Sequence, residues 1–251
     1  MRIEFRALRK TFPDGAVGLD GASLSLETPS FTVLSGRNGS GKSLLVRHAL
    51  GLETADSGEV LVDGAPLGTA LAATRRRVAL VFQEPEHQIL GVTVREDAEF
   101  GPRAARERPD AYSARVSAAL KAAGLAGFEG RLCAGLSGGE KRRLAVASAL
   151  VSEPELIVLD EPFNGLDLAG ASDLLRVLLR LNAAGVGVLV VTHDLEKCLA
   201  HADRLVVLGS GRVVREGSPA SLWEELPALG LRRPPGGLDR LAEMSWLETA
   251  P

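Results

Sequence analysis

Cysteine, long apolar runs and an excess of basic charge are all scarce in this chain of 251 residues. Cys133 and Cys198 are the two cysteines, and they share no spacing that would hold a metal ion. A thiolate metal cluster is thereby excluded, and two buried or incidental thiols in a reducing compartment are expected. The longest strongly apolar stretch, Val186 to Val191, has Gly187 inside it and falls far short of the roughly 20 residues that cross a bilayer. Met1-Arg2-Ile3-Glu4-Phe5-Arg6 holds no continuous apolar segment, so no export signal and a cytoplasmic location are expected. The formal charge of −3 argues against nucleic acid as a partner, because a basic face normally marks that role. The local clusters Arg75-Arg76-Arg77 and Lys141-Arg142-Arg143 are expected to be solvated helix faces.

The remaining composition, 45% hydrophobic and 24% charged, is that of a folded chain with a sizeable core, arranged as one large domain or two small ones. Residues 2 to 35 read as strands, with Pro13-Asp14-Gly15 and Thr28-Pro29-Ser30 as turns. Glu59 to Val62 and Val78 to Phe82 are further strands, separated by a short helix over Ala70 to Arg76. From Gln83 to about Ser152 the strand signal disappears, and helical composition marks Val94 to Phe100, Asp110 to Ala123 and Gly138 to Val151. Strands and helices then alternate: Leu156 to Leu159, a helix over Ser172 to Leu181, Val186 to Val191, a helix from Leu195, then Leu205 to Leu208 and Arg212 to Val214. That order predicts an α/β fold with a parallel sheet, an antiparallel β layer at the N-terminal side and an inserted α-helical subdomain at about 84–152. The main domain is expected over 1–217 and a short helical tail over 218–251, with Trp223 and Trp246 as packing anchors.

The most informative stretch is Gly36-Arg37-Asn38-Gly39-Ser40-Gly41-Lys42-Ser43, which fits the P-loop pattern G-x-x-x-x-G-K-[ST]. The apolar run Phe31 to Leu34 enters it and Leu44 to Leu50 leaves it with helical character. Glycines let several backbone N–H groups converge on one anion, and the following helix N-terminus adds its positive dipole end. Lys42 supplies a compact cation for the β- and γ-phosphates, and Ser43 a hydroxyl for Mg²⁺, which prefers oxygen ligands. A second signal is Leu156-Ile157-Val158-Leu159 ending in Asp160-Glu161, two carboxylates at a strand C-terminus, where ligands of open α/β sheets bind. Asp160 matches a Walker-B acid that helps to hold Mg²⁺, and Glu161 is the candidate to polarise an attacking water. A third is the capping box Ser137 to Glu140, which fixes a helix start beside Gly138-Gly139.

Leu136-Ser137-Gly138-Gly139-Glu140 resembles the signature motif of ATP-binding-cassette (ABC) ATPases, and the resemblance extends over residues 2 to about 217. It implies a P-loop NTPase core, with Gln83 as the Q-loop glutamine on the metal and catalytic side, His193 as the switch histidine and Gly165-Leu166-Asp167 as the D-loop. Asp167 is equally placed to cap the next helix. Phe12 stands where the family sets an aromatic against adenine. The resemblance further implies that ATP and Mg²⁺ are bound by the P-loop of one subunit and completed by Ser137, Gly138, Gly139 and Glu140 of a second, identical or homologous, so that hydrolysis opens a closed dimer. Two residues depart from the family pattern. Leu44 replaces a usual hydroxyl residue at the α-phosphate and retains only its backbone N–H, and Phe163 stands near the D-loop where a small polar residue is common.

Gln83-Glu84-Pro85-Glu86-His87-Gln88, Thr93-Val94-Arg95-Glu96-Asp97 and Phe100-Gly101-Pro102 resemble the ATPases of energy-coupling-factor and cobalt-type importers. That resemblance implies an ATPase subunit on the cytoplasmic face of the cell membrane. It would power uptake of a vitamin or transition-metal ion, with an integral membrane subunit docking near residues 84–97. The alternatives are the ATPase of another ABC importer or exporter, or a soluble ABC ATPase. The soluble class usually carries two cassettes or long coiled-coil insertions, and this sequence shows one P-loop, one signature and no extended heptad run.

Overall fold

A period of two in the apolar residues draws the start of the chain into antiparallel strands. In the computed structural model, which describes residues 1–235, 237–243 and 247, β1 (Arg2–Thr11) pairs antiparallel with β2 (Val17–Glu27). Ile3, Phe5 and Leu8 of β1 and Leu19, Ala22, Leu24 and Leu26 of β2 are buried. Phe12 lies in the tight connection, where its N–H donates to the Ala16 carbonyl at 2.8 Å. β3 (Phe31–Ser35) is buried at every position, as a strand covered on both faces must be, and a glycine-rich loop joins it to α1 (Lys42–Ala49). β4 (Ser57–Val62) returns to pair with β1 and with the short β5 (Ala65–Pro66). α2 (Leu67–Arg77) and β6 (Val78–Val81) follow.

After β6 the chain builds its helical insert from α3 (Val94–Ala98), α4 (Phe100–Ala104), α5 (Pro109–Ala122) and α6 (Gly138–Leu150). It then resumes alternation through β7 (Leu156–Asp160), α7 (Leu168–Ala183), β8 (Gly187–Val191), β9 (Arg204–Gly209), β10 (Arg212–Gly217) and α8 (Pro219–Leu222). Among the described residues the strands form two sheets, β2-β1-β4-β5 and β10-β9-β3-β8-β7-β6. The second is parallel except for β10, which pairs antiparallel with β9 at the edge. This is the expected α/β architecture: a parallel sheet, an antiparallel layer and helices inserted between β6 and β7.

Strand alternation divides the core into two. Phe31, Val33, Ile157, Leu159, Val188 and Val190 face the helices, while Leu34, Leu156, Val158, Leu189 and Val191 face α1 and the antiparallel layer. The helix-side core includes Trp223, Leu226 and Leu231, so the segment after β10 is packed onto the sheet through an aromatic anchor. Trp246 lies outside the described residues. Cys133 and Cys198 are both buried free thiols, as expected, and burial raises the pKa of each above its ordinary value. Among the described residues no helix is long and apolar enough to cross a membrane.

Three local expectations need correction. Val81 ends β6, and Phe82 is exposed. No α-helix starts at Leu195: turns and a 3-10 segment, Leu199–His201, take its place. The reason is competition from side chains, since Thr192 Oγ1 accepts from the Asp194 N–H at 3.0 Å and Asp194 Oδ1 from the Glu196 N–H at 3.2 Å. Such bonds offer the backbone an alternative to the helical ladder. Finally, the basic cluster on α6 is not a solvated face throughout, because Arg142 is only 6% exposed. Arg75 and Arg76 are exposed as expected, whereas Arg77 is half-buried and paired with Glu155 and Asp63.

Trp223 is 1% exposed and among the largest fully buried side chains. Trp223→Ala is expected to lower the unfolding free energy by about 3–5 kcal/mol, the usual cost of truncating a buried aromatic. Urea denaturation checks this, and a loss within error of zero would show that the tail contributes nothing to the core.

Candidate active site

Parallel register brings the sequence motifs to one edge of the sheet. Leu34 and Asp160 are both paired with Val191, and Val81 with Leu159. The chain segments that leave β3, β8, β7 and β6 therefore emerge side by side, and they carry the P-loop, His193, Glu161 and Gln83 respectively. This is the carboxyl edge at which open α/β sheets bind ligands.

The P-loop is shaped by backbone positions that exclude side chains. Gly36 has φ +147°, and a Cβ there would lie 2.1 Å from the Leu208 carbonyl oxygen. Gly41 has φ +100°, and its Cβ would lie 2.5 Å from the Gly18 carbonyl oxygen. The loop is thus pressed onto β9 and β2, and no other residue fits without moving backbone. Ser40 is buried inside it, and its carbonyl accepts from the Gly211 N–H at 3.0 Å. α1 begins without a side-chain cap and without an acid in its first turn, leaving its N-terminal dipole for an anion from outside. Lys42 is buried, and its ammonium donates to the Gly36 carbonyl at 2.7 Å and the Arg37 carbonyl at 3.2 Å. Burial pushes its pKa below the ordinary lysine value, while the Glu161 and Asp160 charges pull against that shift.

Ser43 hydrogen-bonds the Asp160 carboxylate, which joins the P-loop to the end of β7. Burial pushes Asp160 above the usual carboxylate range, the Ser43 bond acts in the opposite sense, and the Glu161 charge adds to the rise. Perturbed lysine and carboxylate groups at one strand edge are a mark of a working site. Glu161 itself is buried with φ +46°, a left-handed backbone that costs a non-glycine residue energy and concentrates at functional sites. Its N–H donates to the Val191 carbonyl at 2.7 Å. Its carboxylate accepts from Thr192 Oγ1 at 2.9 Å, from the His193 N–H at 3.1 Å and from His193 Nδ1 at 2.7 Å. The acid and the histidine predicted separately from sequence are therefore one latched pair.

These groups enclose a cavity of about 510 Å³. Asn38, Gly39, Ser40, Gly41, Lys42 and Ser43 line it together with Gln83, Glu161 and His193. Phe12, Gly18 and Leu44 line it as well. A Cβ on Gly18 would lie 2.4 Å from Leu44 Cδ2 and 2.8 Å from Phe12 Cε2, so the three residues make one apolar shelf. Leu44, a departure at the level of sequence, thus packs against the aromatic that precedes the turn. Gly18 and Asn164 also line the cavity and were not anticipated: Gly18 lies in an unremarkable strand, and Asn164 follows the paired acids without any motif of its own.

The signature residues are elsewhere. Ser137 caps α6 in the expected box: its Oγ accepts from the Glu140 N–H at 3.2 Å, and Glu140 Oε2 accepts from the Ser137 N–H at 2.7 Å. The Ser137 backbone bond, with help from Arg131, holds the Glu140 carboxyl below the usual range. Ser137, Gly138, Gly139 and Glu140 line a second cavity of about 400 Å³ together with Gly165 and Asp167, and none of the P-loop residues reaches it. Asp167 caps α7 by accepting from the Gly170 N–H at 2.8 Å. Phe163 is buried in the helix-side core, so the large side chain near the D-loop is spent on packing. The guanidinium of Arg142, also unanticipated, donates to the carbonyls of Gln83, Pro162 and Asn164.

A model of the ABC transporter family matches residues 19–164. The chain is 38% identical over 245 residues to the energy-coupling factor transporter ATP-binding protein EcfA of Methanothermobacter thermautotrophicus, covering 96% of this chain and 78% of that protein. It is 41% identical over 234 residues to the cobalt import ATP-binding protein CbiO of Rhodobacter capsulatus, covering 91% of this chain and 84% of that protein. Among solved structures, cbiO1 from Clostridium perfringens, part of the ABC transporter complex cbiONQ, superposes with a TM-score of 0.82 at 29% identity over 96% of this chain and 97% of its own. With its P-loop, acid pair and signature helix set on this sheet, the chain belongs to the ABC transporter family, as an ATP-binding ATPase subunit whose hydrolysis is coupled to transport.

Proposed function

We propose that the chain is the ATP-hydrolysing subunit of an energy-coupling-factor or cobalt-type importer, driving uptake of a vitamin or a transition-metal ion from the cytoplasmic face of the membrane. The observation that carries the mechanism is the separation of two half-sites on one chain, the P-loop cavity and the signature cavity. Each holds anion-binding groups that the other lacks. ATP held on Lys42 and the P-loop N–H groups would be completed by Ser137, Gly138, Gly139 and Glu140 of a second cassette, whose capped helix N-terminus suits the γ-phosphate. Hydrolysis removes the bridging charge and lets the pair open.

The residues present fit Mg²⁺: the Ser43 hydroxyl lies beside the Asp160 carboxylate, and Gln83, which lines the same cavity as Ser43, would add a third oxygen. One carboxylate with a hydroxyl and substrate phosphates is the usual donor set for this ion. Bound there, it would neutralise charge on the β- and γ-phosphates. Glu161 orients and deprotonates the attacking water. To do so it must be released by His193, which then turns its ring toward the γ-phosphate. Phe12 and Leu44 hold the base on their shelf, and Lys42 leaves the Gly36 and Arg37 carbonyls for the phosphates.

Membrane coupling is supported by the face beyond Gln83. Leu90, at 62% exposure, and the exposed Phe100 line a cavity of about 600 Å³ between the helical insert and β6, with Arg75 and Arg115 around it. An apolar groove with a charged rim is what a docking helix requires, and it overlaps the expected partner segment 84–97.

Glu161→Gln is expected to keep ATP affinity, to slow turnover at least about hundredfold as loss of a general base does, and to accumulate a nucleotide-bound dimer on size-exclusion chromatography. Unchanged steady-state hydrolysis would reject the water-polarising role. Gly18→Ala displaces the shelf and should weaken ATP binding roughly tenfold, the scale of one misplaced methyl group in an apolar subsite, while sparing inorganic tripolyphosphate. Calorimetric titration with both ligands decides it, and equal losses would place the effect on the phosphate cradle instead. Leu90→Asp should abolish recovery of an integral membrane partner from solubilised membranes without lowering ATP affinity; recovery at wild-type level would move the docking face elsewhere.

A further inference from the structure

Arg142 lies in the second turn of α6 and is 6% exposed. Its Nη1 donates to the Pro162 and Asn164 carbonyls, each at 2.7 Å, and its Nη2 to the Gln83 carbonyl at 2.9 Å. Its neighbours are partly buried and each has a carboxylate partner, Lys141 pairing with Glu86 and Arg143 with Asp173. Among the described residues no carboxylate forms an ion pair with Arg142 itself. Burial lowers its pKa from the ordinary arginine value, with the more distant Glu86 charge acting against the shift.

A buried cation without a counter-charge costs several kcal/mol unless its protons are satisfied. Packing alone does not call for one, because an apolar side chain of similar length would fill the same space at lower cost. What only guanidinium offers is a rigid planar fork that grips several acceptors at once. The three acceptors are backbone atoms of two separate segments, Gln83 in one and Pro162 and Asn164 in the other. Gln83 opens the stretch that leads into the docking face, Pro162 directly follows Glu161, and Asn164 lines the ATP cavity and leads into Gly165 and Asp167. The clip itself stands on the helix that Ser137 begins.

We propose that Arg142 is a positioning residue that ties the Gln83 segment, the loop after Glu161 and the signature helix into one moving unit, so that nucleotide binding is transmitted to the docking face through its guanidinium. This rests on the reading of Glu161 and Gln83 given under Proposed function. Arg142 is not among the residues that line the P-loop cavity, so its loss should leave ATP binding intact and damage turnover and transmission.

The test compares the purified full-length chain with R142M, which removes the fork without burying a charge, and R142K, which keeps the charge without the fork. Steady-state hydrolysis is measured together with hydrogen–deuterium exchange over residues 84–97 and 162–167, with and without a non-hydrolysable ATP analogue. In the wild type the analogue is expected to alter exchange in both segments. R142M should confine the change to the P-loop and lower kcat at least about tenfold with KM within about twofold, the pattern of an interaction that matters only beyond substrate binding. R142K should lie between. Wild-type kcat in either variant, or a wild-type exchange response over 84–97, overturns the inference and leaves a fold brace. If R142M does not fold, the same criteria apply to R142K. A wild-type chain that binds no ATP would instead overturn the functional reading on which the inference stands.

Discussion

Everything chemical in this molecule depends on the register of four adjacent parallel strands. β6, β7, β8 and β3 share a sheet, and their ends are aligned by the pairing of Val191 with Leu34 on one side and Asp160 on the other. A slip of one residue would reverse which side chains face each half of the core. The two cores prevent it, because Ile157 and Leu159 are committed to one and Leu156 and Val158 to the other. Packing on both faces of the sheet thus places Glu161 against His193 within hydrogen-bond reach. The acid does not sit there for its own stability, since its left-handed backbone is tolerated only because the surroundings dictate it.

The site is also a concentration of charge that the fold has to justify. Lys42, Asp160, Glu161 and Arg142 are all wholly or largely removed from solvent, and each is held differently. Lys42 leans on backbone carbonyls of its own loop, Asp160 lies beside the Ser43 hydroxyl, Glu161 leans on Thr192 and His193, and Arg142 on carbonyls of two segments. None of them forms a closed, optimally neutralised ion pair with a buried partner of opposite sign. Lysine and acids arranged in this way remain available to a ligand that brings both negative phosphates and a cation.

Residues whose role is set by local pattern were legible in the sequence. The P-loop announces itself by glycines at positions where a Cβ would strike backbone, as at Gly36 and Gly41. The Ser137 to Glu140 capping box is a three-residue spacing, and it forms as read. Alternation of strand and helix signals sufficed for the parallel sheet, since few other packings bury such apolar strands. What escaped was set by tertiary context. Arg142 looks like its neighbours in a basic run, and only the folded chain shows that it is bonded to backbone carbonyls while Lys141 and Arg143 pair with carboxylates. Gly18 sits in a strand with no motif, and its need to lack a side chain comes from Leu44 and Phe12, which approach from different elements. The loop after Val191 failed as a helix because Thr192 and Asp194 bind backbone N–H groups, a choice that propensity alone does not decide.

The chemistry of the Arg142 clip explains why its partners are free to vary in role. A guanidinium bonded to side chains would constrain what those side chains are; bonded to carbonyls, it constrains only where the backbone is. The side-chain amides of Gln83 and Asn164 therefore take no part in the Arg142 contact, and both residues line the P-loop cavity, while their backbones are fixed by α6. Pro162 has no N–H to offer and uses the one polar group it has. Position is thus separated from side chain within single residues: the Gln83 carbonyl is held by Arg142 of α6, and the residue lines the P-loop cavity. A displacement of the α6 N-terminus, where Ser137 and Glu140 are locked by their mutual cap, must then either carry the Gln83 backbone with it or break the charge-assisted hydrogen bond that the Gln83 carbonyl accepts from a buried cation. Moving together is the less costly course, and it is the coupling assigned to Arg142.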